Sequence, residues 1–556
     1  MPISRVMKNT KFLSVALGLA FQLGILFPSY ADDPCGAHFK VDPKQVAALQ
    51  KLLMDEVLQH PEKLAALEGK LISEIQKLSN AKALKPILTQ VAHKLKGMNK
   101  LPDRITDENI GQMIDRLTDM IDGEFRAHGM TPESKGVVYR SWEEVSNEQL
   151  AAARKTKVPA AGPGNPSAFY NSKFISELEK VSESRFTGAE AAKPLIDGPE
   201  SFPLREKLIR NAKTSIHIMS WAIEDDVTGW KFANLLIQKA KDIDVKIMVD
   251  HKTAQMDPYK KMVEYLEKNG VQTIRWKDPK FPYYGLHRKI MIVDGEEVIG
   301  GGMNFGDVYS HLGPEKTAKW RDTDAYFQGD IAKEAAYLFA TQWNKNVNRN
   351  QLSFPKLKVP NKPDYSRIPA GNVKVMLVDQ EPSPQTIDPV MRAVLKGIEG
   401  ATTSVDIENA YFISTPAIKD AILAAAKRGV KIRLFTNSGE SVDVPIISAP
   451  ILKSLPDLIA AGVEVHVKTG PTLHSKYLVI DGFASYVMSY NFHPQSVRTQ
   501  CENAFIVLDA RFASDLTAAY ENGIRNQGRR VLSATDIPVK DSPINFLINR
   551  YFFDQL

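Results

Sequence analysis

One arrangement of polar residues occurs twice in this chain of 556 residues, and the two copies lie 187 residues apart. Each copy has a histidine, a lysine two positions later, an aspartate seven positions later and an asparagine seventeen positions later. One match of this kind can arise by chance, but two matches with the same spacing indicate an internal duplication. The residues are His287, Lys289, Asp294 and Asn304 in the first copy and His474, Lys476, Asp481 and Asn491 in the second.

Each copy predicts a β-hairpin. A histidine and a lysine two positions apart point to the same face of a strand, and the first strand continues with apolar residues from 290 to 293. Asp294-Gly295 follows, and Asp481-Gly482 takes the same place in the second copy. Asp-Gly is a strong signal for a hairpin turn. The return strand carries the asparagine back, so each half offers an imidazole, an ammonium and an amide. Together they form a cationic, donor-rich pocket suited to phosphodiester oxygens.

The duplication extends beyond the hairpins. Strand-like segments 214–218 and 403–407 resemble each other, as do 245–250 and 430–435. Each of these segments follows a helix-like one, and strands that alternate with helices predict an α/β fold. We expect two halves related by a pseudo-twofold axis, which brings both motifs into one active-site cleft. A connector punctuated by prolines, 354–371, separates the halves.

The paired motifs resemble those of the phospholipase D superfamily, the HKD phosphodiesterases, from about residue 190 to about residue 535. The stretches 301–309 and 320–323 look like the cardiolipin synthase and transphosphatidylase branch. The resemblance implies two phospholipase D-like α/β/α halves, at 191–353 and 372–556, that form one cleft. It also implies an enzyme, because both sets of histidine, lysine and asparagine are intact.

Two histidines at one phosphodiester imply a division of roles. One must be neutral to attack phosphorus, and the other must be protonated to donate to the leaving alkoxide. The second histidine then deprotonates water or an alcohol, which attacks the phosphohistidine. The residues do not identify the nucleophile, and the resemblance favours His287. The lysines supply positive charge, so we expect no metal ion and no other cofactor.

We expect a carboxylate on the second ring nitrogen of each histidine, by the logic of catalytic triads. Candidates lie downstream of each motif, where the family places its orienting acid: Asp322 follows His287 by 35 residues, and Glu502 follows His474 by 28. Asp324 competes with Asp322, and we prefer Asp322. The predicted catalytic residues are His287, His474, Lys289, Lys476, Asp322 and Glu502.

Other motif residues receive other roles. Asp294 and Asp481 lie in the turns, so we predict that they fix the turn or pair with a basic residue. The usual Gly-Ser before the asparagine is Gly301-Gly302 in the first copy and Met488-Ser489 in the second, which leaves a hydroxyl contact in the first half in doubt. The predicted phosphate-binding residues are Asn304, Asn491, Ser489 and Gly302.

Residues 1–31 have the character of a secretory signal peptide. A basic start precedes an apolar run from Phe12 to Phe27, and a small-x-small pattern ends at Ala31. A retained membrane anchor is the alternative, although a typical span needs ~20 residues. We therefore expect export, to the periplasm or the medium. In an oxidising compartment Cys35 and Cys501 either form a disulfide or stay unpaired.

Residues 32–157 carry apolar side chains at helical spacing, which predicts a helical region of unknown role. Its apolar stripes fit either the buried side of a small bundle or a membrane-binding face. A linker and lead-in, 158–190, begins with prolines and glycines and precedes the first half. Candidates to line the cleft are the acidic stretch 224–226, the aromatic stretch 281–284 and His493.

The charge argues against a nucleic-acid partner. The net charge is +6, and residues 1–31 hold Arg5, Lys8 and Lys11 and no acid, so cleavage leaves +3. This is below the basic character expected of a nucleic-acid binder, but it suits an anionic membrane surface. We therefore expect a phospholipid membrane surface as partner, a phospholipid substrate, water or an alcohol as acceptor, and a monomeric active unit.

The predicted activity is phospholipase D-type hydrolysis of phosphatidyl lipids to phosphatidic acid through a phosphohistidine, with phosphatidyl transfer to an alcohol as a second outcome. The enzymatic alternatives are an exported HKD-type nuclease and a cardiolipin synthase-like transphosphatidylase. The non-enzymatic alternative is a lipid-binding protein, and the intact motifs argue against it.

Overall fold

The computed structural model divides into two compact units, Met1–Tyr139 with Asp541–Leu556, and Arg140–Lys540. In the first unit only Lys85, Thr89 and His93 are described, and all three are helical. The predicted signal peptide, Cys35 and most of the predicted helical region therefore lie outside the described residues. In the second unit the description covers residues 140–537 apart from 157, 159–161, 163–165, 257–258, 282–283, 384–387 and 445–446.

A short segment precedes the first half. It consists of helix α1 (Trp142–Ala153), a 3-10 turn (Ala168–Tyr170), helix α2 (Ser172–Ser182) and strand β1 (Thr187–Ala189). Ser141 starts α1 in a capping box with Glu144, which satisfies two free N–H groups at the helix start. Phe174 of α2 and Leu150 of α1 are buried in the core of the second half. The stretch predicted as a linker and lead-in thus contains a helix and a strand of that half.

The first half carries a sheet of seven strands. Its elements are β2 (Ala191–Ile196), α3 (Asp197–Asn211), β3 (Ser215–Ser220), α4 (Val227–Lys239), β4 (Asp244–Asp250), a 3-10 turn (Thr253–Gln255), α5 (Tyr259–Lys268), β5 (Gln272–Trp276), β6 (Gly285–Leu286), β7 (Ile290–Val293), β8 (Glu297–Gly301), α6 (Asp307–Ser310), β9 (Thr323–Gln328) and α7 (Asp330–Arg349). The sheet order is β2-β9-β8-β7-β3-β4-β5. Strands β3, β4 and β5 are parallel, and the remaining pairs are antiparallel.

The second half repeats this plan on a larger sheet. Its elements are β10 (Val373–Gln380), α8 (Pro389–Gly400), β11 (Ser404–Asn409), α9 (Pro416–Lys427), β12 (Lys431–Thr436), α10 (Ser448–Lys453), α11 (Pro456–Ala460), β13 (Glu464–Lys468), β14 (Lys476–Ile480), β15 (Ala484–Met488), α12 (Pro494–Arg498), β16 (Gln500–Leu508), α13 (Ala510–Gln527), β17 (Gly528–Val531) and a 3-10 turn (Ala534–Asp536). The order is β1-β10-β16-β15-β14-β11-β12-β13-β17, and β6 of the first half adds on beside β16.

The two sheets correspond strand by strand. In each, three parallel strands continue into an antiparallel hairpin and a further strand: β5-β4-β3-β7-β8-β9 matches β13-β12-β11-β14-β15-β16. The strand at the next position, β2 or β10, begins each half and leads into its first helix. The predicted α/β fold with two duplicated halves is confirmed.

Helices bury each sheet against an apolar core. In the second half, ten of the twelve residues of α8 are buried between the sheet and its neighbouring helices. Lys396 of α8 is fully buried, and its ammonium bonds Glu177 of α2 at 2.7 Å, since a buried charge needs a partner. Within the described part of the chain, no helix combines the length and apolar character needed to cross a bilayer.

The motif aspartates hold the hairpins to the rest of each sheet. Asp294 and Gly295 both have positive φ, 55° and 70°, as do Asp481 and Gly482, 54° and 61°. Two successive positive φ values define a type I′ turn, so the predicted hairpin turns are confirmed. The Asp294 carboxylate accepts the backbone N–H groups of residues 213, 214 and 215 at 2.7–3.0 Å, just before β3. Asp481 binds residues 402–404 in the same way. In the described part of the chain, the hydrogen-bond partners of both aspartates are backbone groups and threonine hydroxyls, not a basic side chain.

Candidate active site

The two motif histidines lie where the parallel strands of each sheet end. His287 precedes β7, whose start pairs with the end of β3, and His474 precedes β14, whose start pairs with the end of β11. Open α/β sheets bind ligands at this carboxyl edge. The two halves are hydrogen-bonded to each other at this edge, because β6 pairs with β16 and Arg321 forms a bridge with Leu473. These contacts bring both motifs into one site.

Each orienting carboxylate belongs to the opposite half from its histidine. Nδ1 of His287 lies 3.0 Å from both carboxylate oxygens of Glu502. Nδ1 of His474 lies 2.7 Å from Oδ2 of Asp322. Both carboxylates are fully buried. The residues predicted as orienting acids thus contact the motif histidines, but each reaches across the interface rather than back to the histidine upstream in its own half.

The backbone N–H groups of the two histidines also bond the opposite half. The N–H of His287 donates to the carbonyl of Cys501 at 2.9 Å, and the N–H of His474 donates to the carbonyl of Arg321 at 2.6 Å. Cys501 and Arg321 directly precede the two carboxylates. Each histidine is therefore bound to the other half through both its main chain and its ring, so the site exists only when the halves are docked.

Asp324, the competitor for the orienting role, has a different function in the structure. Its carboxylate forms a buried ion pair with Arg205 at 2.7 Å and accepts a hydrogen bond from Ser201 at 2.6 Å. It also accepts the N–H of Met303 at 3.2 Å. These bonds fix the turn that leads to Asn304. Asp322 and Asp324 are two residues apart on one chain segment, and only Asp322 reaches a motif histidine.

The two carboxylates differ in how their charge is stabilised. Burial opposes ionisation of Glu502, but His287, Lys289 and the Ser489 hydroxyl hold its pKa at about 2. Burial raises the pKa of Asp322 to about 6, against the opposing effect of Lys476. Burial also lowers the pKa of His287 to about 4, although Glu502 favours the cation. Burial lowers the pKa of His474 well below its ordinary value too, and Lys476 and Lys289 add to that shift, so both imidazoles favour the neutral form that a nucleophile requires.

One substitution between the halves contributes to this difference. Glu502 accepts hydrogen bonds from the hydroxyls of Ser489 and, at 2.7 Å, Ser496. Gly302 occupies the place of Ser489 in the first half, and both donate their backbone N–H to the carboxylate strand at 3.0 Å. A Cβ atom on Gly302 would lie 2.1 Å from Oδ1 of Asp322. No side chain fits there, so Asp322 lacks the hydroxyl donor that Glu502 has.

The predicted phosphate-binding roles of Ser489 and Gly302 need correction. The Ser489 hydroxyl is fully buried and donates to Glu502, so it orients the carboxylate instead of facing substrate. The N–H of Gly302 is used in a bond to the carbonyl of Thr323 at 3.0 Å. Both residues support the carboxylates because each directly follows a strand, β8 or β15, that pairs with the carboxylate strand of its half.

The two lysines and the two asparagines are the remaining groups that can bind a phosphodiester. Lys289 and Lys476 each donate to the carbonyl of the histidine two positions earlier. Burial lowers the pKa of Lys289 to about 7 and that of Lys476 to about 8. Asn304 donates to the hydroxyl of Tyr309 at 3.0 Å. Oδ1 of Asn491 is buried without a hydrogen-bond partner among the described residues. An oxyanion bound here would favour the protonated, cationic form of both lysines.

Three aromatic side chains surround His474, and sequence reasoning did not predict them. The ring centroids of Tyr309, Trp320 and Tyr411 lie 5.2, 5.5 and 6.1 Å from that of His474. We call these residues the aromatic wall. Tyr309 lies five positions after Asn304, as Ser496 lies five after Asn491. The equal offset could have suggested a role for both residues, but the position of Tyr411 beside His474 follows only from the folding of the second half.

Other residues proposed for the cleft have varied positions. His493 is buried, stacks on Tyr411 with centroids 6.1 Å apart, and accepts the N–H of Ser496 at the start of α12. Phe281 and Tyr284 stack on each other at 4.8 Å, and the two residues between them lie outside the described residues. Cys501 is buried and has no disulfide partner among the described residues, and burial raises its pKa well above the ordinary value.

The residues described include no group of three or more histidine, cysteine, aspartate or glutamate side chains placed to hold a metal ion. The fold and the site together define a phosphodiester-processing centre built from two half-sites in one chain.

Comparison with known proteins gives the family. The model described as the PLD-like domain of cardiolipin synthase matches residues 206–343 and 394–523. The cardiolipin synthase of Staphylococcus aureus strain Mu50 is 31% identical over 387 residues, which are 68% of this chain and 75% of that protein. The major cardiolipin synthase ClsA of Bacillus subtilis strain 168 is 28% identical over 368 residues, 65% of this chain and 74% of that protein.

The fold has a solved counterpart. The crystal structure of phosphatidylserine synthase from Haemophilus influenzae Rd KW20 superposes with a TM-score of 0.54 and 16% identity, covering 68% of this chain and 97% of that one. The chain belongs to the phospholipase D superfamily, and it is a phosphodiesterase-type enzyme of that superfamily.

Proposed function

We propose that the protein transfers a phosphatidyl group from a phospholipid to an alcohol, as a cardiolipin synthase-like transphosphatidylase. The observation that carries the proposal is the convergence of two intact histidine-lysine-asparagine sets in a chain whose relatives are named cardiolipin synthases over about two thirds of its length. Hydrolysis to phosphatidic acid, the activity first predicted from the sequence, uses the same intermediate with water as acceptor.

The proposed reaction uses Nε2 of both histidines, because carboxylates engage Nδ1. Nε2 of one histidine attacks phosphorus, so a P–N bond forms while the P–O bond to the leaving alcohol breaks. The second histidine donates its proton to the leaving alkoxide. It then takes a proton from the acceptor hydroxyl, whose oxygen forms a new P–O bond as the P–N bond breaks. The lysines and asparagines stabilise the charge on the equatorial oxygens.

The aromatic wall favours an alcohol over water as acceptor. Tyr309, Trp320 and Tyr411 cover His474, and the imidazole itself is only 5% exposed. A phosphohistidine in this environment has restricted contact with bulk water. An amphiphilic alcohol carried by a lipid can bring its hydroxyl to the same place with its apolar part against the rings.

Phosphatidylglycerol vesicles test the proposal, because one lipid molecule serves as donor and a second supplies the acceptor hydroxyl. The purified full-length protein is incubated with the vesicles in EDTA, and the lipid products are separated. We expect cardiolipin and free glycerol in excess of phosphatidic acid. Phosphatidic acid without cardiolipin would reassign the protein as a hydrolase. Cleavage of plasmid DNA with unchanged lipid would place it with the nucleases.

A surface beside the cleft is proposed to dock on an anionic bilayer. Val227 and Leu312 are 52% and 43% exposed. They lie close together, because Ser310 bonds the hydroxyl of Thr228 at 2.5 Å and the N–H of Leu312 at 3.0 Å. The loop 311–320 ends at Trp320 of the aromatic wall and carries exposed lysines at 316 and 319. Exposed apolar side chains with two lysines in the same loop suit anionic lipid.

Leu312→Glu is expected to weaken binding to phosphatidylglycerol vesicles by roughly tenfold or more, since burial of one leucine in lipid contributes about 1.5–3 kcal/mol. Turnover of vesicles should fall in parallel, whereas turnover of monomeric dihexanoyl-phosphatidylglycerol should stay at the wild-type level. Vesicle sedimentation and product analysis measure the two effects. Leu532→Glu is the matched control, because Leu532 is 73% exposed beyond β17. Equal loss in both variants would exclude this docking surface.

A further inference from the structure

The duplication contains a further polar position that the motifs do not include. Asp250 lies 37 residues before His287, and Asn437 lies 37 residues before His474. Asp250 is the last residue of β4, and Asn437 directly follows β12. Each therefore stands at the end of the middle parallel strand of its half. Both side chains are buried, at 3% and 0% exposure, so their polar atoms must find partners within the protein.

Those partners are the residues directly before the motif histidines. Oδ2 of Asp250 accepts the N–H of Leu286 at 2.9 Å. Oδ1 of Asn437 accepts the N–H of Leu473 at 3.0 Å, and its Nδ2 donates to the carbonyl of Leu473 at 2.7 Å. The same bond thus occurs in both halves, from the same strand end to the same position relative to the histidine.

Each side chain is itself held by a neighbouring loop. Oδ1 of Asp250 accepts the N–H and the hydroxyl of Thr253 at 2.9 and 3.0 Å. Oδ1 of Asn437 accepts the hydroxyl of Ser441 at 2.8 Å. Bonds of this kind fix the side-chain rotamer, so the acceptor atom is preorganised before the substrate arrives.

The result is that each histidine is held from two directions. Its own half holds the preceding peptide, while the opposite half holds the histidine N–H and Nδ1. We propose that Asp250 and Asn437 are positioning residues that set the approach of His287 and His474 to phosphorus. The inference depends on phosphodiester chemistry at the two histidines and not on which acceptor takes the phosphatidyl group.

Asp250 is an acid and Asn437 is neutral, so replacing them should have different effects on the pH profile. The charged groups that face the Lys289 ammonium are Glu502, Lys476, Asp322 and Asp250. Burial holds the pKa of Lys289 at about 7, and the Asp250 carboxylate opposes this fall. Loss of that negative charge disfavours the ammonium and lowers the pKa further. The alkaline limb of the kcat/KM profile should then move to lower pH. Asn437 is neutral, so its replacement should leave that limb in place.

The test compares Asp250→Ala, Asp250→Asn and Asn437→Ala on dihexanoyl-phosphatidylglycerol, with turnover taken as transfer plus hydrolysis. Both alanine variants should lose about 10²-fold in kcat, because a small misplacement of a reacting group has an effect of this size, while KM changes less than about threefold. Asp250→Asn keeps one of the two acceptor oxygens, which can still accept the N–H of Leu286, so it should recover part of the lost kcat and show the shifted alkaline limb. Asn437→Ala should show lower kcat without that shift.

Thr273→Val is the matched control. Thr273 is a buried polar residue of β5, beside β4, and its hydroxyl donates to the carbonyl of Val271 at 3.2 Å. It should keep wild-type kcat. The proposal is overturned if Asp250→Ala retains kcat within about threefold of wild type, or if Asp250→Asn is as impaired as Asp250→Ala.

A second measurement needs no lipid. Orthovanadate mimics the pentacoordinate phosphorus between the two histidines, and calorimetric titration gives its affinity. We expect Asp250→Ala to bind it at least tenfold more weakly than wild type, and Asp250→Asn to restore part of the affinity. If wild type turned over no phospholipid, the proposed function would fail while this titration still tested the positioning. Equal affinity in wild type and Asp250→Ala would refute the positioning role.

Discussion

Replacement of His287 or His474 by alanine is expected to lower turnover by about 10⁴-fold or more in each case. Each variant removes one of the two nitrogen atoms that the reaction needs, one to form the P–N bond and the other to transfer the proton. The remaining histidine cannot take both roles at once. Product formation from phosphatidylglycerol, measured over hours at high enzyme concentration, gives the residual rate.

A buried histidine elsewhere provides the control for this prediction. His466 lies on β13 and pairs with Glu464 at 2.9 Å. His466→Ala should therefore keep most of the activity, while thermal unfolding shows whether each variant is folded. Activity within tenfold of wild type in either His287→Ala or His474→Ala would disprove a mechanism that requires two histidines.

Glu502→Gln is expected to reduce turnover by about 10³–10⁴-fold, close to the effect of losing a triad carboxylate. Glu502 is ionised, with its pKa held at about 2, and it binds Nδ1 of His287 with both oxygens. A glutamine amide presents an N–H to that nitrogen and favours the wrong tautomer. It also removes the negative charge that stabilises an imidazolium. The rate at saturating phosphatidylglycerol measures the loss, and circular dichroism reports the fold.

Asp322→Asn should be less damaging and should change the pH profile. Burial raises the pKa of Asp322 to about 6. The carboxyl is therefore protonated below that pH and ionised above it, so wild-type kcat should rise as the pH increases through about 6. Asp322→Asn has no such group and should lose this acidic limb, with about 10²-fold lower kcat at pH 7.5. Retention of the limb in the variant would assign it to another residue.

Most of the local structure at the site follows from short-range sequence signals. Asp-Gly between apolar strands predicts the two hairpins, because these residues favour the type I′ turn, whose backbone twist matches that of the strands. Repeated spacing predicts the duplication and the α/β halves. The same reasoning places histidine, lysine and asparagine at strand ends. None of these steps requires knowledge of which residues meet across the halves.

Some assignments depend on contacts that no spacing encodes. Ser489 precedes Asn491 in a pattern that suggests a phosphate contact, yet its hydroxyl donates to Glu502. Asp322 and Asp324 are only two positions apart in the sequence. The tertiary structure separates their roles, because Arg205 pairs with Asp324. Tyr411 reaches His474 through the fold of the second half alone.

The sequence by itself determined the duplicated halves, the hairpins and the chemical groups of the two half-sites, because these depend on strand periodicity and turn geometry within a few residues. The tertiary structure alone decided that Glu502 serves His287 and Asp322 serves His474. This happens because the carboxylate strands lie at the interface between the halves, where the nearest imidazole to each buried carboxylate belongs to the opposite half. Hydrogen bonds between residues 152 and 215 positions apart are set by docking and not by local sequence.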